Sequence, residues 1–271
     1  MKRKHRAPVV TGLFGRHIAV LLAATTLFPA AVACGAAEPD DAPRLRAEVV
    51  ATRPHDPSLF TQGLEIHDGV LYESTGLPGE SLVRASDLAT GVEHARADLP
   101  APLFGEGITR AGDVLWQVTY TEGIAIARDA ETLTELRRTD YEGEGWGLCT
   151  RGDRIVMSNG TATLTFRDPE TFAPTGEVTL ASRGDTRLNE LDCAPDGSVY
   201  ANAWPTDTIL RIDPETGTVL AVIDAAGLLP RSARTPDSDV LNGIAHIPGT
   251  DRFLLTGKKW PTSFEVRFVP E

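Results

Sequence analysis

From Val49 onward the chain runs in short stretches of alternating apolar and polar residues. VLYESTG follows Asp68-Gly69, VLWQVTY follows Gly112-Asp113, RIVMSNG follows Gly152-Asp153, SVYANAW follows Asp196-Gly197, and RFLLTGK lies near the C-terminus. Period-two alternation bounded by turn residues predicts strands joined in hairpins, each with one face buried. No stretch beyond the leader carries the 3.6-residue spacing of an amphipathic helix. The pattern therefore predicts one all-β domain.

The strands repeat. Phe60-Thr61-Gln62-Gly63-Leu64, Phe104-Gly105-Glu106-Gly107-Ile108, Glu144-Gly145-Trp146-Gly147-Leu148, Leu188-Asn189-Glu190-Leu191 and Leu241-Asn242-Gly243-Ile244 align on a shared aliphatic residue. The steps between those residues are 44, 40, 43 and 53, the length of one four-stranded propeller blade. Asp87, Asp129, Asp168 and Asp213 each open a further turn, marking the outer hairpins of four blades. The fifth blade lacks this marker. Its last strand, SFEVRFVPE, ends the chain, so the missing strand is expected from Leu45–Val50, and the expected fold is a five-bladed β-propeller closed by pairing of the N- and C-terminal strands.

In such a fold one matched position per repeat encircles a channel mouth. The residue before each Gly-Leu or Gly-Ile pair, or its equivalent, is Gln62, Glu106, Trp146, Asn189 and Asn242. Purely structural positions in repeats keep one residue type, as the aliphatic position does, so a circle of unlike polar and aromatic groups reads as a site; channel-lining groups solvated by trapped water are the plainer alternative. Glu106 is the only ionisable member. Beside Phe104 and Trp146 its carboxyl is expected to have a raised pKa and to exchange protons near neutrality.

The first residues add location. MKRKHR and Arg16-His17 precede an apolar run from Ile18 to Ala33, too short for a membrane span and typical of an export signal. Ala31-Val32-Ala33 offers a cleavage site for plain secretion, and with Cys34 following it also resembles the box at which a bacterial lipoprotein is lipidated. The expected organisation is a signal peptide over 1–33, a flexible tether over 34–44 and a catalytic propeller over 45–271. The formal charge of −12 becomes more negative once Lys2, Arg3, Lys4, Arg6 and Arg16 are removed. That balance argues against nucleic acid as a partner and leaves membrane attachment to a lipid on Cys34. Cys149 and Cys193 remain in the body, 44 residues apart. They suit either a disulfide between neighbouring blades in an oxidising compartment or two free buried thiols, and their spacing fits no metal or redox motif.

FTQGL, YESTG, FGEGI, EGWGL, LNELD, DVLNGIA and TGKKWP, in this order, resemble the plant and bacterial glutaminyl-peptide cyclotransferases over about Val49 to Phe268. The resemblance implies an acyltransferase that closes the N-terminal glutamine of a peptide or protein to pyroglutamate and releases ammonia, without cofactor or metal. It places the general acid/base on Glu106. Orientation of the amide and binding of its oxyanion fall to Gln62, Asn189 and Lys258, with the neighbouring Lys259 competing for the last assignment. The pocket walls fall to Phe60, Phe104, Trp146 and Trp204, with Asn242 in the same circle and Tyr120 where plant members carry tryptophan. A monomer is expected. Two other readings fit a propeller of this composition: a non-catalytic peptide-binding scaffold, and a metal-dependent lactonase or hydrolase using Glu106, Asn189 and Asn242.

Overall fold

The computed structural model describes residues 42–271, so the expected export signal, its expected cleavage site and Cys34 lie outside the described residues. In chain order the strands are β1 (Arg44–Pro54), β2 (Thr61–His67), β3 (Val70–Thr75), β4 (Leu82–Asp87), β5 (Glu93–Asp98), β6 (Gly105–Ala111), β7 (Val114–Thr119), β8 (Ile124–Asp129) and β9 (Glu135–Asp140). They continue as β10 (Leu148–Arg151), β11 (Arg154–Ser158), β12 (Thr163–Arg167), β13 (Pro174–Thr179), β14 (Arg187–Cys193), β15 (Val199–Trp204), β16 (Thr208–Asp213), β17 (Thr218–Asp224), β18 (Leu241–His246), β19 (Arg252–Gly257) and β20 (Thr262–Pro270).

β2–β5, β6–β9 and β10–β13 each form a four-stranded antiparallel meander. β14–β17 and the final strands share one eight-stranded sheet in the order β14-β15-β16-β17-β1-β20-β19-β18. The N-terminal strand is the hinge of that sheet. It lies antiparallel along β20 from Leu45↔Pro270 to Pro54↔Thr262 and parallel to β17 through Arg44↔Val222 to Arg46↔Asp224. The first and last of the described strands are thus held in one sheet, and β1 supplies the fourth strand of the last unit. The bonding of β1 to β17 has no counterpart in the sequence reading, because a parallel partner 178 residues away leaves no local pattern.

Successive sheets pack face to face. Tyr72, Val83 and Ala85 meet Ile108, Leu115 and Leu133, while Trp116 and Val118 meet Leu148, Ile155 and Phe172. Val156 and Leu164 meet Leu188, Leu191 and Val199; Tyr200 and Ile223 meet Leu241 and Phe253; Leu64 and Ile66 meet Ala245 and Leu254, closing the cycle. The alternating apolar residues of both faces therefore find partners. A disulfide joins Cys149 on β10 to Cys193 on β14, resolving the choice the spacing left open.

The first strand of each unit has no ladder partner on its inner edge, and its backbone groups must be satisfied otherwise. Some meet directly: the Gly107 amide donates to the Trp146 carbonyl at 2.7 Å. A Cβ on Gly107 would lie 2.6 Å from that carbonyl oxygen, so the close approach requires glycine. Elsewhere side chains bridge. Ser158 Oγ accepts from the Gly147 amide and donates to the Asn189 carbonyl, and Asn202 Oδ1 accepts from the Gly243 amide. Glu65 takes the Arg110 amide, and Asp192 the His246 amide. Glu190 takes two amides, Leu64 at 3.0 Å and Ile244 at 2.7 Å.

These carboxyl groups have a price in charge. Burial pushes Glu65 up to about 7 and Asp192 to about 6, against the lowering effect of the amides they accept, and it raises Glu190 well above the usual range. Because their folded values lie above the unfolded ones, the stability they contribute is present at acid pH and is lost as pH rises through the folded values. Glu73 behaves oppositely. Burial would raise it, but His55, Arg84 and Thr61 hold it at about 2, so Glu73 stays ionised above pH 5, and its partner His55, whose pKa this contact raises, adds to the stability lost as pH climbs. The melting temperature is therefore expected to fall between pH 5.5 and 8.5. Glu65→Gln, which keeps an acceptor for Arg110, should flatten that fall, by at most about 3 kcal/mol at 1.36 kcal/mol per pKa unit. Thermal melts of both proteins across this range check it; an unchanged slope in the variant would remove Glu65 as a source.

Candidate active site

The matched residues stand at the entry of the inner strands: Gln62 in β2, Glu106 in β6, Trp146 just before β10, Asn189 in β14 and Asn242 in β18. All five are buried. Three are linked directly. Asn242 Nδ2 donates to Gln62 Oε1 at 3.1 Å and to the Thr61 carbonyl, and Gln62 Nε2 donates to Glu106 Oε1 at 2.9 Å. The relay fixes one carboxylate oxygen. Glu106 Oε2 is buried without a hydrogen-bond partner, as is Asn189 Oδ1.

Glu106 is 4 % exposed, and burial holds its pKa well above the ordinary carboxylate value. Lys258 opposes that shift, while Glu122 and Glu144 add to it. Lys258 is itself buried, which lowers its pKa against the pull of Glu106 and Asp239. Its Nζ lies 4.8 Å from the centre of the Phe60 ring. Of the adjacent lysines it is Lys258 whose charge acts on Glu106.

The aromatic residues form one continuous wall. Phe60 packs on Phe104 with centroids 6.2 Å apart, Phe104 on Tyr120 at 5.7 Å, Tyr120 on Trp146 at 6.1 Å, and Trp146 on Trp204 at 5.8 Å. Tyr120 belongs to this wall despite its departure from tryptophan. Edge-on contacts of this kind hold the rings in place and keep water from the carboxyl group. The site can thus hold a small head group of mixed polar and methylene character, move a proton at Glu106 and present amide and ammonium donors to a developing oxyanion.

Three charged residues at this site were not singled out from the sequence. Glu122 Oε2 is buried without a partner, and Glu144 accepts the Trp146 indole N–H at 2.8 Å. Arg187 lies over Trp204 at 4.4 Å and Trp146 at 5.4 Å. Arg187 could have been found, since it stands two residues before Asn189 in the same strand. Glu122 sits in a loop outside the repeated words and left no such signal, while Glu144 opens the word Glu144–Leu148 two residues before Trp146 and could have been found in the same way as Arg187. Among the described residues no group of three or more His, Cys, Asp or Glu side chains is arranged to hold a metal ion.

Known proteins resemble this chain over most of its length. A curated glutaminyl-peptide cyclotransferase of Arabidopsis thaliana is 39 % identical over 229 residues, covering 81 % of this chain and 70 % of the plant protein. The crystal structure of Myxococcus xanthus glutaminyl cyclase superposes with a TM-score of 0.77 at 40 % identity, covering 85 % of this chain and all of that one. The family model described as glutamine cyclotransferase matches residues 19–268. A match of that extent, with 39 % identity to an enzyme of the same name, settles membership: the chain belongs to the glutamine cyclotransferase family.

Proposed function

We propose that the chain is a five-bladed β-propeller whose axial pocket cyclises the N-terminal glutamine of peptides or proteins to pyroglutamate, with Glu106 as general base and then general acid. The propeller reading is supported by the cycle of face-to-face cores and by β1 serving as the fourth strand of the last unit. The α-amine of the substrate attacks its own side-chain carboxamide carbon. One C–N bond forms, the bond to the amide nitrogen breaks, and ammonia leaves. Glu106 takes the proton the amine must lose and returns one to the departing nitrogen, so no outside reagent is consumed.

The observation that carries this reading is the asymmetry of the Glu106 carboxyl: Gln62 anchors Oε1, while the buried Oε2 is left for a substrate donor. Leaving a buried acceptor unpaired costs roughly 1–3 kcal/mol, which a bound amine would recover. In this reading Lys258 and the Asn189 amide are the candidates for binding the oxyanion. Phe60, Phe104, Tyr120, Trp146 and Trp204 exclude water from the methylenes of the glutamine side chain.

The test is incubation of the folded domain with Gln-Ala in excess chelator. Ammonia and a product lighter by one ammonia are expected. A folded protein that releases neither would leave a binding propeller, and turnover that chelation abolishes would favour a metal-dependent hydrolase. The same reading places the protein outside the cytoplasm as a monomer, either released after cleavage at Ala33 or anchored through a lipid on Cys34. The intact mass of the exported chain distinguishes these, and an uncleaved chain in the cytoplasm would sink both.

A further inference from the structure

We infer that Arg187 is a specificity-determining residue that binds a carboxylate carried just beyond the cyclising glutamine; the inference rests on the cyclase reading above. Arg187 pairs with Trp204 across the β14–β15 ladder, which seats its guanidinium on the indole at the far end of the aromatic wall from Phe60. Its recorded contacts are the faces of Trp204 and Trp146, and among the described residues no carboxylate pairs with it. A guanidinium packed on the face of the nearer indole, Trp204, keeps N–H donors in its own plane. A planar fork resting beside two indoles, exposed and with no carboxylate already paired to it, suits bidentate recognition of a carboxylate.

The charge layout of the pocket points the same way. Glu106, acted on by Glu122 and Glu144 and opposed by Lys258, marks where the substrate amine must bind, and Arg187 is the cation beside Trp204. With the glutamine head group against Glu106, the peptide leaves along the wall toward Trp204 and Arg187. A dipeptide presents its C-terminal carboxylate there, and a longer chain presents an acidic second side chain.

The experiment compares kcat and KM of the full mature protein on Gln-Ala, Gln-Ala-amide, Gln-Glu-amide and Gln-Lys-amide, at low and high salt, for wild type, Arg187→Gln and Arg187→Lys. Thermal melts of each variant show that the fold is kept. Wild type is expected to use at least one carboxylate-bearing substrate with a KM about tenfold below that of Gln-Ala-amide, with kcat little changed, since a charge-assisted contact worth about 1.4 kcal/mol gives that factor. Preference for Gln-Ala assigns the C-terminal carboxylate, and preference for Gln-Glu-amide the acidic side chain. Arg187→Gln should bring the ratio close to one, Arg187→Lys should restore part of it, and salt should shrink it in wild type. Turnover of Gln-Ala-amide with no carboxylate preference, or a preference that Arg187→Gln leaves intact, overturns the inference while leaving the cyclase reading standing. No turnover of any peptide by folded wild type overturns both.

Discussion

Glu106→Gln is expected to reduce ammonia release from Gln-Ala by a factor of about 10²–10⁴, the usual contribution of a positioned general acid/base, while making the folded protein more heat-stable at pH 8. The two effects share one cause. The carboxyl group is buried beside Phe104 and Tyr120, its pKa is raised by burial before any charge acts on it, and Glu122 and Glu144 raise it further. Since the folded value exceeds the unfolded one, the stability associated with Glu106 is present below its ordinary pKa and lost as pH rises through the raised value. A neutral amide at this position keeps an acceptor for Gln62 and escapes that loss. For catalysis the same shift is useful, because a carboxylate of higher basicity is a better proton acceptor near neutrality. The substrate α-amine, with an ordinary value of about 7.7–8.0, must also be neutral to attack, so wild-type kcat/KM should rise with pH through both values. Ammonia release and thermal melts of the two proteins at pH 6 and 8 check this together. A variant retaining most of its turnover would remove Glu106 from the chemistry, and one that melts lower at pH 8 would show that Lys258 needs the negative charge more than the pocket suffers from it.

The features of this site that the sequence made visible are those the repeat multiplies. Gln62, Glu106, Trp146, Asn189 and Asn242 occupy one position in five similar words, so their convergence follows from the fold and needs no long-range information. Strand alternation and the Asp-led turns likewise give the hairpins, because both are local signals. Three kinds of feature stayed hidden. The direct bonding of β1 to β17 joins segments with no common pattern. The Cys149–Cys193 bond depends on the lateral distance between β10 and β14, which a spacing of 44 does not determine. Glu122 and Arg187 reach the pocket from a loop and a strand end, and Glu144 opens the repeated word Glu144–Leu148, but in each place a charged residue in the sequence looks like any solvated one. Glu190 is a different case. It was in view as the one non-glycine at its matched position, among Gly63, Gly107, Gly147 and Gly243, but a departure from a repeat does not announce its purpose.

That purpose predicts the largest effect on stability. Glu190→Ala is expected to cost about 3–5 kcal/mol, from two buried amides left unpaired at roughly 1–3 kcal/mol each together with the cavity opened. The four glycines allow the inner strands to approach closely, and the Glu190 side chain, 0 % exposed, fills the space they leave. Its two oxygens accept the Leu64 and Ile244 amides, which belong to β2 and β18 and have no ladder partner on that edge. Removing the carboxyl group leaves both amides buried and unpaired and opens a cavity between three inner strands. Glu190→Gly, which would complete the glycine pattern of the repeat, should be no better, because the loss lies in the missing acceptor rather than in crowding. Glu190→Gln separates acceptor from charge: it keeps one oxygen for one amide, so a milder loss of about 1–2 kcal/mol is expected. Burial raises the pKa of Glu190 well above the usual range, so the gap between the glutamine variant and wild type should narrow as pH rises. Chemical denaturation of the three variants at pH 6 and 8 provides the measurement. Equal stability of the alanine and glutamine variants would show that the Leu64 and Ile244 amides find other partners, and that the packing of the blade faces alone holds the axis together.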